Sequence, residues 1–142
     1  MRFADLEPGD PRLLDEALPV LAQLRPELTR ELLEEVYAEG HPQGLRFTAA
    51  YDEEDDCVAV AGWRVMATTV AIRKLYVDDL VTAAEHRGRG IGGALLAELA
   101  RRARELGCRA IDLDSALTRA DAHRFYIRER MPITSFHFAR TL

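Results

Sequence analysis

The stretch Leu80-Val81-Thr82-Ala83-Ala84-Glu85-His86-Arg87-Gly88-Arg89-Gly90-Ile91-Gly92-Gly93-Ala94-Leu95-Leu96 runs from the end of a β-type segment through a polar connector into a glycine-rich turn and a helix. Upstream, Ile72 to Thr82 is rich in β-branched and aromatic residues and reads as a strand. Downstream, Ile91, Leu95, Leu99, Ala103 and Leu106 recur at helical spacing as a buried stripe. Glu98 and Arg102 pair at i,i+4 on the outer side of this helix, and Gly107 ends it. Four glycines, 88, 90, 92 and 93, crowd the helix start. Glycine permits positive φ and close backbone approach, and the first free N–H groups of a helix attract phosphate. Arg87 and Arg89 add guanidinium charges suited to phosphate oxygens, so residues Arg87 to Gly93 are a candidate anion site. The competing reading is a tight turn packed on the sheet, with both arginines in solvent.

Working outward, Met1 to Leu6 reads as a short strand. Asp10-Pro11 then starts a helix carrying Leu13, Leu14, Ala17, Leu18, Leu21 and Leu24, kinked or divided at Pro19. A second helix spans about Thr29 to Glu39, with Leu32, Leu33, Val36 and Tyr37 as its apolar face. From Gly44 the period becomes two. Gly44 to Tyr51, Cys57 to Ala67 and Ile72 to Thr82 form an antiparallel meander, with the five acids Asp52 to Asp56 in its first turn. After the central helix come a strand at Arg109 to Asp114, a helix at Thr118 to Glu129 and a last strand at Ile133 to Arg140. The predicted order is β-α-α-β-β-β-α-β-α-β, a mixed α/β (α+β) single domain covering 1–142 with a mostly antiparallel sheet.

Composition excludes several functions. Of 19 basic residues only Lys74 is lysine, and Leu75 follows it, so there is no phosphate-binding Gly-Lys-Ser/Thr loop. The chain has no asparagine, hence no N-glycosylation acceptor. Cys57 and Cys108 make no disulfide framework, and neither they nor the four histidines have metal-ligand spacing, so no metal is expected. There is no apolar run of membrane length and no signal peptide, which fits a soluble protein of the reducing cytoplasm, without nucleic-acid or membrane partners. Residues 1 to 71 hold 6 arginines against 15 acids (net −9), and residues 72 to 142 hold 13 basic residues against 9 acids (net +4). That asymmetry would suit an anionic ligand on the C-terminal half and a cationic one on the other, although solvated helix faces that differ in charge are the simpler explanation.

Gly88-x-Gly90-x-x-Gly93, with Asp112 about 20 residues on, matches the dinucleotide fingerprint literally. Four residues separate Thr82 from Arg87, several elements precede them, and only 49 residues follow Gly93, so a doubly wound nicotinamide or flavin fold is set aside.

The quoted stretch resembles motif A of the GCN5-related N-acetyltransferases (GNAT family), whose Gln/Arg-x-x-Gly-x-Gly/Ala signature is here Arg87, Gly90 and Gly92. The resemblance implies a splayed strand pair and acetyl-CoA as co-substrate. Its pyrophosphate would lie on Arg87, Gly88, Arg89, Gly90, Ile91, Gly92 and Gly93, and its pantetheine arm along Leu80, Val81 and Thr82. Arg119-Ala120-Asp121-Ala122-His123-Arg124-Phe125-Tyr126 is similar to the family's motif B, with Arg119 standing where the family has asparagine. By that match Tyr126 is the general acid and Arg119 a candidate cofactor contact, reaching a phosphate.

Transfer to an amine needs a base for the nitrogen and an acid for the thiolate. A phenol of pKa about 10 can protonate a thiolate whose conjugate acid has pKa about 8.5. Asp78 and Asp79 sit mid-strand, where aspartate is rare. By resemblance to the Leu-Glu-Asp-Leu of polyamine-type members, Asp78 is the base and Asp79 a substrate ligand. The plain alternative pairs one of them with Arg73 or Lys74. Glu85 and His86 read as surface residues, and His123 as solvated. Phe136 and Phe138 are either alternating core residues or the contact of a homodimer, since members of the family often dimerise through late strands. The leading expectation is an N-acetyltransferase acting on a primary amine of a small molecule. The alternatives are a protein or peptide N-acetyltransferase and a non-catalytic acyl-CoA-binding module.

Overall fold

The period-two segments pair in chain order in the computed structural model, which describes residues 1–142. β1 (Arg2–Leu6), β2 (Arg46–Tyr51), β3 (Cys57–Met66) and β4 (Lys74–Thr82) form an antiparallel meander, and β5 (Ala110–Leu113) adds to β4 in parallel. The parallel addition follows from the helix between the two strands, because a crossover returns the chain in the same direction. Layers of helix lie on both faces. α1 (Leu18–Leu24) and α2 (Arg30–Gly40) cover one, packing Leu21, Leu33 and Tyr37 on Phe47, Ala49 and Val81. α3 (Ile91–Glu105) covers the other, packing Leu95, Leu99 and Ala103 on Val58, Trp63, Leu75 and Val77. α4 (Ala120–Arg128) follows β5. No helix is long and apolar enough to cross a membrane.

Local signals behave as their chemistry dictates. The Asp10 carboxylate accepts the Arg12 N–H at 3.0 Å, and the Thr29 hydroxyl accepts the Leu32 N–H at 3.2 Å, each capping a helix start. Ahead of Pro19 the first helix opens into a π-turn over Leu13–Ala17 before α1 begins, the division that a missing proline N–H causes.

Three expectations are corrected. The strand expected at 133–140 is not formed: no residue from 132 onward makes a backbone hydrogen bond, and Ile133, Phe136 and Phe138 are exposed. Alternation gives a segment the capacity to be a strand, but pairing requires a neighbouring edge in register, which this tail does not meet. Glu98 and Arg102 do pair, at 2.7 Å, but inward instead of outward. Their side chains are only 14% and 17% exposed, because Arg102 reaches across to Asp5 of β1 and to Thr48. The apolar face of α2 also splits. Leu33 and Tyr37 are buried, whereas Leu32 and Val36 are 44% and 47% exposed. Four apolar positions make a stripe wider than the groove beneath the helix.

Candidate active site

Residues Gly88 to Gly93 present a run of consecutive backbone N–H groups with no acceptor anywhere in the protein; the next, on Ala94, closes the first helical bond to the Gly90 carbonyl at 3.0 Å. Gly88 and Gly90 both adopt φ +77°, a left-handed conformation that turns these donors outward, and a Cβ at either would meet nothing within 4 Å. Gly90 caps the 15-residue α3 without a side-chain acceptor, and the first turn carries no acid to neutralise the positive helix end. Gly92 has a different task. A Cβ there would stand 3.3 Å from Thr82 Oγ1 and 3.5 Å from the Phe125 ring, so glycine lets α3, β4 and α4 converge. Arg87 and Arg89 are exposed beside the turn. Open donors plus fixed positive charge fit a pyrophosphate group.

The turn is fed by β4, whose two edges differ. Toward β3 it pairs from Lys74 to Thr82, but toward β5 only from Lys74 to Val77. Asp78 to Thr82 therefore keep a free edge where the two parallel strands part, so Leu80, Val81 and Thr82 can offer backbone groups to a peptide-like arm.

A β-bulge decides where the two aspartates go. Val77 stands opposite Trp63 and Asp79 opposite Gly62, leaving Asp78 as the extra residue. Before the bulge Leu75 and Val77 face α3; after it Val81 joins the core beneath α1 and α2. Asp79 turns to that side with it and lines a cavity of about 350 Å³ together with Leu21, Leu33 and Phe47. Burial pushes the Asp79 carboxyl above its ordinary 3.8, partly offset by the guanidinium of Arg25, whose Nε donates to Oδ1 at 2.8 Å. Asp78 accepts two hydrogen bonds of 3.0 Å from Arg64. The partners expected from sequence are occupied elsewhere: Arg73 on the Leu106 carbonyl and Lys74 on Asp112. Arg25 lies 54 residues from Asp79, and no local signal in the sequence points to it.

Tyr126 sits half-buried on α4, its ring edge-on to Phe125 at 5.2 Å, while Phe125 touches the start of α3. Burial raises the phenol above its ordinary 10, and the nearby charge of Arg119 pulls the other way. No protein group accepts the hydroxyl's hydrogen bond. Arg119 is exposed at the N-cap of α4. Glu85 is exposed and His86 half-buried in a short turn before Arg87. His123, expected in solvent, is half-buried, with Nε2 2.8 Å from the Ala116 carbonyl. Asp52, Glu54 and Asp56 bring carboxylates within 4.8 Å of one another in the β2–β3 turn, where Asp52 Oδ1 accepts the N–H groups of Glu54 and Asp56.

Comparison with known proteins bears on the family and the fold. The family model described as "Acetyltransferase (GNAT) family" matches residues 12–130. An uncharacterized N-acetyltransferase of Bacillus subtilis is 34% identical over 115 residues, 78% of either chain. An aminoalkylphosphonate N-acetyltransferase of Salmonella typhimurium is 38% identical over 66 residues; the match spans 46% of this chain and less than half, 43%, of that protein. Among solved structures, an aminoglycoside N-acetyltransferase in complex with CoA superposes with a TM-score of 0.82 at 15% identity, covering 99% of this chain and 93% of that one.

Proposed function

The chain belongs to the acetyltransferase (GNAT) family, and from that premise we propose that it transfers the acetyl group of acetyl-CoA to a primary amine of a small molecule. The observation that carries this reading is the run of unclaimed N–H groups from Gly88 to Gly93 at the end of a β-strand whose last residues have a free edge. Arg87 to Gly93 would hold the pyrophosphate, Leu80 to Thr82 the pantetheine arm, and Arg119 a phosphate. When bound, acetyl-CoA supplies an activated thioester. The small-molecule acceptor is supported by the partial relative named for aminoalkylphosphonates.

Asp79 is the base in this reading, in the role that motif resemblance gives to Asp78. Asp78 is held by two nitrogens of Arg64, whereas Asp79 faces the cavity with a raised affinity for protons. Asp79 takes one proton from the bound ammonium, the neutral amine bonds to the acetyl carbon, and the second proton passes from its nitrogen to the Tyr126 oxygen once that group has protonated the sulfur. The Tyr126 hydroxyl gives its proton to the sulfur as the carbon–sulfur bond breaks. The raised phenol keeps that proton available across neutral pH. Two free cysteines suit a reducing cytoplasm. Two copies meeting through the uncovered Phe136 and Phe138 are part of the same proposal; sedimentation should give twice the 16.0 kDa chain mass, and F136S/F138S the single mass.

The test is thiol release from acetyl-CoA with a panel of amine acceptors, beside calorimetric titration with CoA. Saturable release with small amines supports the reading. Tight CoA binding with no acceptor turned over supports a binding module instead, and release with peptides alone supports a peptide acetyltransferase.

A further inference from the structure

We propose that the acceptor site selects a primary amine carried on a compact apolar body, with the ammonium group at Asp79 displacing Arg25 and the apolar part against Leu28, Leu32 and Val36. The inference rests on the acetyl-transfer reading and names the acceptor for it.

Leu32 and Val36, one turn apart on α2, expose nearly half of their surface, although the same helix buries Leu33 and Tyr37 almost completely. Exposed apolar pairs are common, but this pair lines the same 350 Å³ cavity as Asp79. Six of the nine lining residues are hydrophobic, and the charged ones are Arg25, Glu27 and Asp79. A carboxylate 18% exposed at the wall of an apolar cavity is a site for one cation.

That cation is at present Arg25. Its side chain is 54% exposed and springs from the non-helical residue that ends α1, so it can swing outward without disturbing a helix. Arg25 also donates to the Asp78 carbonyl at 3.2 Å, so the incoming cation has two hydrogen bonds to replace. An incoming ammonium brings the same charge and hydrogen bonds, which conserves the electrostatic balance at Asp79. A polyamine fits poorly: its second cation would lie on Leu28, Leu32 and Val36, with Glu27 alone to meet it. Position along the strand supports the assignment. Asp79 precedes Thr82 by three residues, about 10 Å along β4, so the cavity opens next to the free strand edge that leads to the glycine turn.

The test is kcat/KM for straight-chain amines from propylamine to hexylamine, beside spermidine and 2-aminoethylphosphonate, with CoA titration as the independent measure of cofactor binding. Each added methylene should raise kcat/KM about fourfold until the cavity is filled, the factor corresponding to ~0.8 kcal/mol per buried methylene. Leu32→Ser and Val36→Ser, at half-exposed positions, should flatten that series while leaving CoA affinity intact. Arg25→Gln should lower KM for the apolar amines, because it removes the internal competitor. A flat series, or spermidine or 2-aminoethylphosphonate outperforming hexylamine tenfold, overturns the inference while acetyl transfer stands. A higher KM in Arg25→Gln overturns the displacement. Loss of CoA binding and of all turnover in the unsubstituted protein would instead bring down the underlying function.

Discussion

The two ends of the candidate site along β4 are built by opposite means. Beyond its C-terminal end, the turn from Gly88 to Gly93 is built of backbone: open N–H groups, left-handed glycines and no side-chain cap. Around Asp79 the site is built of side chains, and its charges are already satisfied, Asp79 by Arg25 and Asp78 by Arg64. Backbone donors have the same chemistry whatever the residue, so the turn can serve any phosphate ligand of the right shape. Side chains can differ at every position, so under the proposed function the cavity is where one acceptor would be told from another. Cofactor binding and acceptor choice should therefore respond separately to substitution.

Kinetics tests this contrast. The largest effect is expected where the two ends meet the reaction: Tyr126→Phe should lower kcat by roughly a hundredfold or more while acetyl-CoA affinity is retained, measured by thiol release and CoA titration. Unchanged turnover would remove Tyr126 as the acid. Gly92→Val should raise KM for acetyl-CoA by on the order of tenfold, as the added methyls press on Thr82 and Phe125, consistent with an overpacking cost of ~1–3 kcal/mol. Its KM for the amine should stay near that of the unsubstituted protein. Combining Gly92→Val with Leu32→Ser should give additive free-energy changes to within about 0.5 kcal/mol, because the substitutions act on different ligands. A larger coupling would mean that the two ends do not work independently.

The pH profile makes a smaller distinction. Asp79 faces Arg25 and lies near Asp78 and Arg64, and its net shift is upward. Its base form is therefore lost at a higher pH than that of an ordinary aspartate, and kcat/KM should climb as pH rises through this raised value. Tyr126 holds its proton above the ordinary 10, so no alkaline fall from its ionisation is expected below that point. Arg25→Gln removes a group that lowers the Asp79 pKa, so the acidic limb should move to higher pH. A limb that stays put would mean that another group governs it.

The smallest effect should touch neither end. Glu98 is held down to about 2 by Arg101 and Arg102, well below its ordinary 4.5. A depressed carboxylate adds stability above its unfolded pKa and loses it as pH falls toward the folded one. Glu98→Gln should thus lower Tm by roughly 2–4 °C at pH 7 and by progressively less between pH 4.5 and 2, with KM for both substrates unchanged.

Much of the architecture was legible because it depends on neighbours in sequence. The helix caps at Asp10 and Thr29, the division at Pro19 and the glycine turn each involve residues within a few positions of one another, and all formed as the sequence predicted. The tail at 133–140 failed because a strand needs a partner, and its Phe136 and Phe138 alternate without one. Glu98 and Arg102 found each other but turned inward, since their setting comes from Asp5 and Thr48 on distant strands.

From the sequence alone came the element order from β1 through α4 and the glycine turn that opens α3, because left-handed glycine, helix capping and spacing along one helix are local physics. The setting of Asp79 came only from the tertiary structure. One extra residue in β4 turned Asp79 toward α1 and α2, Arg25 came to it across 54 residues, and the stripe on α2 proved wider than its groove, leaving Leu32 and Val36 at the cavity. Each of these outcomes depends on how separate segments register and pack, which no local pattern along the chain encodes.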